Sequence, residues 1–421
     1  MERETAANRA RWQGVASVRL RAGLVVPVAL VGVGGGLIGA AYLGGLRVLS
    51  DWIGPGDHRI AVQAGILVGV GAVITVVGRL LGESGSVELL VDNIHVLGGA
   101  EDVRQVRSLV PTSLLCIAAG GSMGPEAPLV QTSGSFGTWI AQRFDLDADA
   151  MRVLTITGMA AGFSVLFGAP FGAALFALEI LHRRGLQYYE ALVPALVGAL
   201  IGYGLNLALT GVGLDPVWQL PDAGTLTGSD LVWGIACGAL GAAGALVFSG
   251  AVTLARRAVS RVPAVGLPAL AGVVLALLYW WSPFALTNGE TQVDAIITGG
   301  LSTGALGVAI AAKATGVLVT LTGRWKGGFI IPLFFIGFAG GQLLHLLVPS
   351  TNATVLMVSL AVALCVGVTK TPLGSTLVVT EMAGLALLPM TIAAAIVALL
   401  LTSQTAIIET QRARSPAAPP P

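Results

Sequence analysis

Long apolar runs, broken by glycine, proline and single polar positions, alternate with short polar segments along nearly the whole chain. Leu24–Leu49, Ala61–Leu81, Val153–Leu178, Leu231–Leu254 and Val265–Trp281 are each long enough to cross about 30 Å of hydrocarbon as a helix. Other apolar runs are shorter or interrupted, and these read as re-entrant or broken helices, which a membrane tolerates where they are buried in protein or line a cavity. The pattern predicts an all-α polytopic membrane bundle.

Composition agrees with the pattern. The 421 residues are 55% hydrophobic and 11% charged, with a mean hydropathy of +0.84, far from soluble globular values. Most of the 58 glycines and 20 prolines fall within apolar regions, where small residues let helices approach closely. A net charge of +1 points to no nucleic-acid partner. Cys116, Cys237 and Cys365 stand alone in apolar surroundings, and His58, His95, His182 and His345 share no metal-ligand spacing, so neither a metal nor a cofactor is expected.

Residues 1–22 carry Arg3, Arg9, Arg11, Arg19 and Arg21 and read as a basic helix on the cytoplasmic membrane surface rather than a cleaved signal peptide. The expected organisation continues with a first transmembrane repeat over 23–210, an extracellular connector over 211–227, a second repeat over 228–411 and a disordered cytoplasmic tail over 412–421.

The case for a repeat rests on three blocks in the same order. "PFGAALFALE" (Pro170–Glu179) matches "PLGSTLVVTE" (Pro372–Glu381) in Pro, Gly, Leu and Glu. Pro128, 42 residues before Pro170, and Pro332, 40 before Pro372, both close a Gly-x-x-x-Pro-Leu string. Stepping 41 and 39 residues further back reaches Val87 in "GSVELL" and Val293 in "TQVDAI". Such regular spacing marks internal duplication, and it makes Glu126 and Ile330 equivalent positions.

Lys and Arg accumulate in cytoplasmic loops. Arg183, Arg184, Arg256, Arg257 and Arg261 then lie inside with both termini, whereas "TGVGLDPVWQLPDAGTLTGSD" and "MAGLALLP" lack basic residues and lie outside. The loop after Glu179 is basic and the loop after Glu381 is not, so the halves are inverted relative to each other. Inverted repeats with interrupted helices are a transporter and channel architecture whose sites lie at the repeat interface.

In "GPEAPLVQ" and "GGFIIPLFF" glycines (Gly124; Gly327 and Gly328) precede a proline (Pro128; Pro332) that opens an apolar run, with Pro125 beside Glu126 in the first block. Gly for a tight turn and Pro in a first turn announce helices that start inside the membrane. Each start offers up to four unpaired N–H groups and about half a positive charge, so two converging starts make an anion cradle without a buried cation. Glu126 at one of them is a candidate tethered anion, leaving when protonated. The alternative, an acid that only caps its own helix, stays open.

"GPEAPLVQ" resembles the Gly-Arg-Glu-Gly-Pro-x-Val-Gln motif of the CLC chloride channels and proton/chloride exchangers, with Pro125 for Arg and Ala127 for the second Gly. "GGFIIP" resembles that family's Gly-x-Phe-x-Pro, with Ile330 where Phe is usual. With the basic N-terminal helix, the repeat and "FGAPFGAALFALE", the likeness covers about residues 20–411. The resemblance implies that Glu126 is the gating glutamate, that Ala127 and the backbone amides of Phe329 and Ile330 belong to the anion site, and that the protein is a homodimer with one pore per subunit. It places the anion-coordinating serine at Ser84, with Ser86 competing and a helix cap as the plainer role for either.

Two departures stand out. Ile408 occupies the place of the family's inner tyrosine and Ile180 that of the exchangers' inner proton-transfer glutamate. Glu179 reads as a hydrogen-bonded polar residue near the cytoplasmic mouth. Lys313, Arg324, Lys326 and Lys370 either raise the local anion concentration or snorkel to the interface.

The expected function is transport of chloride or a similar small anion across the cell membrane, as a passive channel or weakly coupled transporter, with proton-coupled antiport as the alternative. Membrane lipid and the anion are its expected partners, joined by protons under the antiport alternative. An intramembrane enzyme built on Glu126 or Ser133 needs a His partner, a metal pair such as His-Glu-x-x-His or a Gly-x-Ser-x-Gly elbow around the serine; no His-Glu-x-x-His is present and Ser133 stands in no such elbow. A cation transporter would favour helix C-termini around its site rather than these helix starts.

Overall fold

The protein was analysed as a computed structural model that describes residues 22–56, 59–81, 87–99, 103–182, 186–211, 217–298, 300–405 and 407–411. The N-terminal basic segment, Ser84, Ser86, Arg183, Arg184 and the tail 412–421 lie outside these residues.

The described residues form sixteen α-helices. In the first half they are α1 (Val25–Ile53), α2 (Ile60–Leu81), α3 (Val87–Val96), α4 (Val103–Ala118), α5 (Glu126–Arg143), α6 (Ala148–Phe167), α7 (Pro170–Glu179) and α8 (Leu192–Thr210). In the second they are α9 (Gly228–Val259), α10 (Leu267–Trp281), α11 (Val293–Ile297), α12 (Thr303–Thr322), α13 (Ile330–Leu347), α14 (Ala353–Thr369), α15 (Pro372–Ala383) and α16 (Leu388–Thr402). Eight helical segments are long and apolar enough to cross a membrane. Others, such as α7 and α15, stop short and are broken helices inside the bundle.

Some helices begin where the sequence offers a side-chain cap. Asp147 accepts from the Ala150 amide at 2.8 Å to start α6, Asn352 accepts from Val355 to start α14, and Thr227 with Asp230 closes a capping box at α9, each satisfying an orphan donor. The apolar run Val153–Leu178 is two helices rather than one. Gly168 adopts a left-handed φ of 63° and ends α6, and Pro170 opens α7.

The three paired blocks fall on equivalent helix starts. Val87 and Val293 open α3 and α11, Glu126 and Ile330 open α5 and α13, and Pro170 and Pro372 open α7 and α15. Packing repeats as well: α5 lies on α6 as α13 lies on α14, and α1 lies on α6 and α8 as α9 lies on α14 and α16. The halves meet through equivalents, α2 against α10 and α7 against α15.

The α7–α15 joint is reciprocal. Both helices start with Pro at the first turn and neither has a side-chain cap of its own. Glu179, the last residue of α7, accepts from the Leu373 and Gly374 amides at 3.2 and 2.8 Å. Glu381, near the end of α15, accepts from Phe171 and Gly172 at 3.3 and 2.6 Å. Each carboxylate thus supplies the other helix with the negative group its N-terminus favours. Two glycines allow the approach: a Cβ on Gly172 would stand 2.7 Å from the Val378 Cα, and one on Gly374 would stand 2.6 Å from the Phe176 amide nitrogen.

Candidate functional site

The two mid-bundle helix starts meet head to head. Gly124 N–H donates to the Gly328 carbonyl at 2.8 Å and Gly328 N–H donates to the Gly124 carbonyl at 2.6 Å, a two-bond antiparallel bridge joining the halves. α5 and α13 begin two residues beyond it, at Glu126 and Ile330. Pro125 precedes α5 with no side-chain cap to offer, and Phe329 precedes α13 likewise. Pro128 and Pro332 sit in the first turns, where the missing N–H is no loss.

Glu126 turns away from its own helix. Its Oε1 accepts from the Ile331 amide at 2.5 Å, across the repeat interface at the start of α13. The residue is 1% exposed. Oε2 accepts no hydrogen bond and lies over Gly124 and Gly328. A methyl on Gly328 would come within 2.9 Å of the Glu126 carboxyl carbon. One carboxylate therefore fills the space above both glycines, anchored by the opposite half's helix start. A carboxyl group is thus held by a peptide N–H with no cation recorded in contact, at a helix N-terminus of the kind that favours an anion. The amide it takes is that of Ile331, the neighbour of the Phe329–Ile330 pair that the resemblance singles out.

A cavity of about 350 Å³ reaches the same helix starts from one side. Ala127, Pro128 and Gln131 of α5 line it, with Gly327, Gly328 and Phe329 from the other half. Arg79, Arg256, Arg324 and Lys326 also border it, against one carboxylate, Glu88, which pairs with Arg256 at 3.4 Å. The wall is thus predominantly basic and favours anions in the cavity. Ser108 and Thr112 of α4 add hydroxyls to the lining. Arg79, Ser108 and Thr112 carried no sequence signal, being ordinary residues of apolar helices, and Arg256 counted only towards topology.

Ile408 lines the cavity as an apolar wall. Ile180 does not; it packs in the core, its carbonyl accepting from Gln411 Nε2 at 2.9 Å. Of the four cations noted in the sequence, Arg324 and Lys326 border the cavity and the two others are buried elsewhere. Lys313 Nζ, fully buried, donates to the Leu286 carbonyl, the Thr287 carbonyl and Gln292 Oε1 at 2.6 to 2.9 Å, beside the Phe335 ring. Lys370, at a left-handed φ of 64°, donates to the Gly367 carbonyl and Thr402 Oγ1. These two tie loops to helices and are neither pore cations nor interfacial anchors. The Ser133 hydroxyl faces Gly162 of α6, away from the cavity.

The sequence model of the voltage gated chloride channel family matches residues 91–403. The chain belongs to that CLC family. A chloride/fluoride channel protein of Pseudomonas syringae pv. tomato is 27% identical over 345 residues, covering 77% of this chain and 72% of its own. A putative chloride channel protein of Ralstonia nicotianae is 27% identical over 380 residues, 84% and 87% of the two chains. Among solved structures, a slow cyanobacterial Cl⁻/H⁺ antiporter superposes with a TM-score of 0.78 at 20% identity, over 92% of this chain and 96% of that one. A CLC-type fluoride/proton antiporter does so with 0.78 at 21% identity, over 93% and 98%. The CLC fold, inverted halves with broken helices meeting at the centre, is therefore common to proteins that share only a fifth of their residues with this one.

Proposed function

We propose that this CLC protein moves chloride, or a similarly small halide such as fluoride, and that Glu126 is its gate. The observation that carries the reading is the Glu126 carboxylate seated on the Ile331 amide. An ionised carboxylate there competes with the permeating anion for the same donors; protonated, it loses the charge that the helix start attracts and leaves. Ala127, Phe329 and Ile330 then border the anion's seat, and Ser84 or Ser86 would close it. The Arg79, Arg256, Arg324 and Lys326 side of the cavity is the cytoplasmic side on the arginine rule, so anions concentrate at the inner mouth. The protein works in the cell membrane as a multi-pass homodimer with both termini inside.

Coupling to protons is weak on this reading. Ile408 puts an apolar side chain in the cavity wall where the family's tyrosine would offer its hydroxyl, and Ile180 offers no proton-transfer group just beyond α7. The tightly coupled reading is kept because the structural neighbours include a Cl⁻/H⁺ and a fluoride/proton antiporter. The deciding experiment is anion efflux from liposomes with the wild type and Glu126→Gln, over a range of pH. Wild-type flux should rise as pH falls, and the variant should lose that dependence. An unchanged pH profile in Glu126→Gln would remove the gate assignment.

A further inference from the structure

Three ionisable aromatic side chains, distant in sequence, meet at the end of α7. His95, in the last turn of α3, donates or accepts at both ring nitrogens: Nδ1 lies 2.8 Å from the Tyr188 hydroxyl and Nε2 lies 2.8 Å from the Leu181 carbonyl. The His182 ring stands edge-on to His95 at 5.2 Å and tilted to Tyr188 at 4.8 Å. His182 and Tyr188 are buried, whereas His95 is partly open to solvent. The His182 amide donates to the Glu179 carbonyl at 2.9 Å, placing the cluster directly beyond the α7 end that carries Ile180.

Hydrogen-bond roles follow from the acceptors. A carbonyl only accepts, so His95 keeps its proton on Nε2 and its Nδ1 accepts from Tyr188 when the ring is neutral. A proton arriving at Nδ1 breaks that O–H···N bond and forms N–H···O to the same hydroxyl, whose hydrogen swings away towards the other side of the oxygen. His95 can thus charge and discharge while keeping both partners. The charge would sit at two helix C-terminal ends, that of α3, which carries it, and that of α7 two residues before Leu181, and both favour a cation.

Other charged groups stand near the cluster. From α6, the Arg152 guanidinium lies over the Tyr188 ring at 5.1 Å and donates to the Ile94 carbonyl, with Asp149 paired to it at 2.7 Å. Asp92 precedes His95 by one turn of α3, and Glu179 ends α7 with its carboxylate on α15. Histidine is the side chain whose charge most readily changes near neutral pH, and His95 is the histidine of the cluster that is partly open to solvent.

We propose that His95, with Tyr188 and His182, takes up protons from the cytoplasm and supplies the inner proton function for which Ile180 has no group. This rests on the anion-transport reading above and, within it, on the proton-coupled alternative, to which it adds where protons enter. The cluster lies apart from the basic cavity, none of its three side chains lining it, so protons and anions approach from the same side by different routes.

The test uses the full chain in liposomes with a chloride gradient as the only driving force and both ions recorded. Wild type should move protons at a measurable ratio to chloride. His95→Gln keeps an N–H for the Leu181 carbonyl but cannot bind a second proton, and it should lower the proton rate about tenfold or more while chloride flux stays within about twofold. Tyr188→Phe and His182→Gln should lower the same ratio, which a merely structural role would not single out. Unchanged proton movement in His95→Gln/His182→Gln, or wild-type chloride flux with no protons at all, would overturn the proposal and leave anion transport standing. No flux of any anion would overturn both.

Discussion

Gly328→Ala should open the Glu126 gate without touching the glutamate. The added methyl would stand 2.9 Å from the carboxyl carbon and 3.0 Å from the Glu126 Cβ, where ordinary contact begins near 3.4 Å, and the nearest atoms it meets all belong to that one flexible side chain. Glu126 Oε2 would lie closer still to the methyl, so relief requires the carboxyl group to move by about 1 Å or more, which carries Oε1 out of hydrogen-bond range of the Ile331 amide. A hydrogen bond to a charged group is worth about 1.5–3 kcal/mol, so the seated population should fall roughly 10- to 150-fold. The assay is chloride efflux from liposomes at several pH values. Gly328→Ala should raise flux at neutral pH and flatten its dependence on acid. A methyl that merely narrows the passage would act without the carboxylate, so the control is Glu126→Ala with and without Gly328→Ala. If the alanine lowers flux equally in both backgrounds, or leaves the wild-type pH profile intact, the steric reasoning is wrong.

Other residues give separable expectations. Glu381→Gln removes a charge-assisted cap from the Phe171 and Gly172 amides, and detergent-solubilised protein should lose about 1–3 kcal/mol, read as a lower melting temperature with anion selectivity unchanged. Arg256→Gln weakens the basic wall of the cavity and should reduce chloride flux at low ionic strength by severalfold, with the deficit shrinking above about 0.15 M salt as screening shortens to about 8 Å.

The inverted fold was legible because its signals are local. Gly and Pro at Gly124–Pro128 and Gly327–Pro332 announce helix starts by backbone chemistry alone, and the paired blocks around Val87, Val293, Pro170 and Pro372 announce the duplication, whose matched positions the structure then shows opening equivalent helices. The break between α6 and α7 was not legible, since Gly168–Ala169 interrupts the backbone without interrupting the apolar pattern. Nor was the seat of Glu126: sequence places the acid at its own helix start, while only the packed halves bring it to Ile331, 205 residues on. The same distance hid the roles of Glu179 and Glu381, and it hid the meeting of His95 with His182, whose separation in sequence has no motif spacing. Lys313 and Lys370 were misleading for the opposite reason, because a lone cation in an apolar helix carries no sign of which carbonyls will surround it.

The exchange of carboxylates between α7 and α15 also constrains the order in which the protein can be made. When α7 has entered the membrane, the amides of Phe171 and Gly172 have no acceptor until Glu381, about 210 residues later, has been synthesised. An unpaired amide in hydrocarbon costs several kcal/mol, so full burial of the α7 start is favoured only once Glu381 is present to accept from it. Completion of the second half then finishes both helices at once, and the two halves become a single cooperative unit only at the last stage of biogenesis.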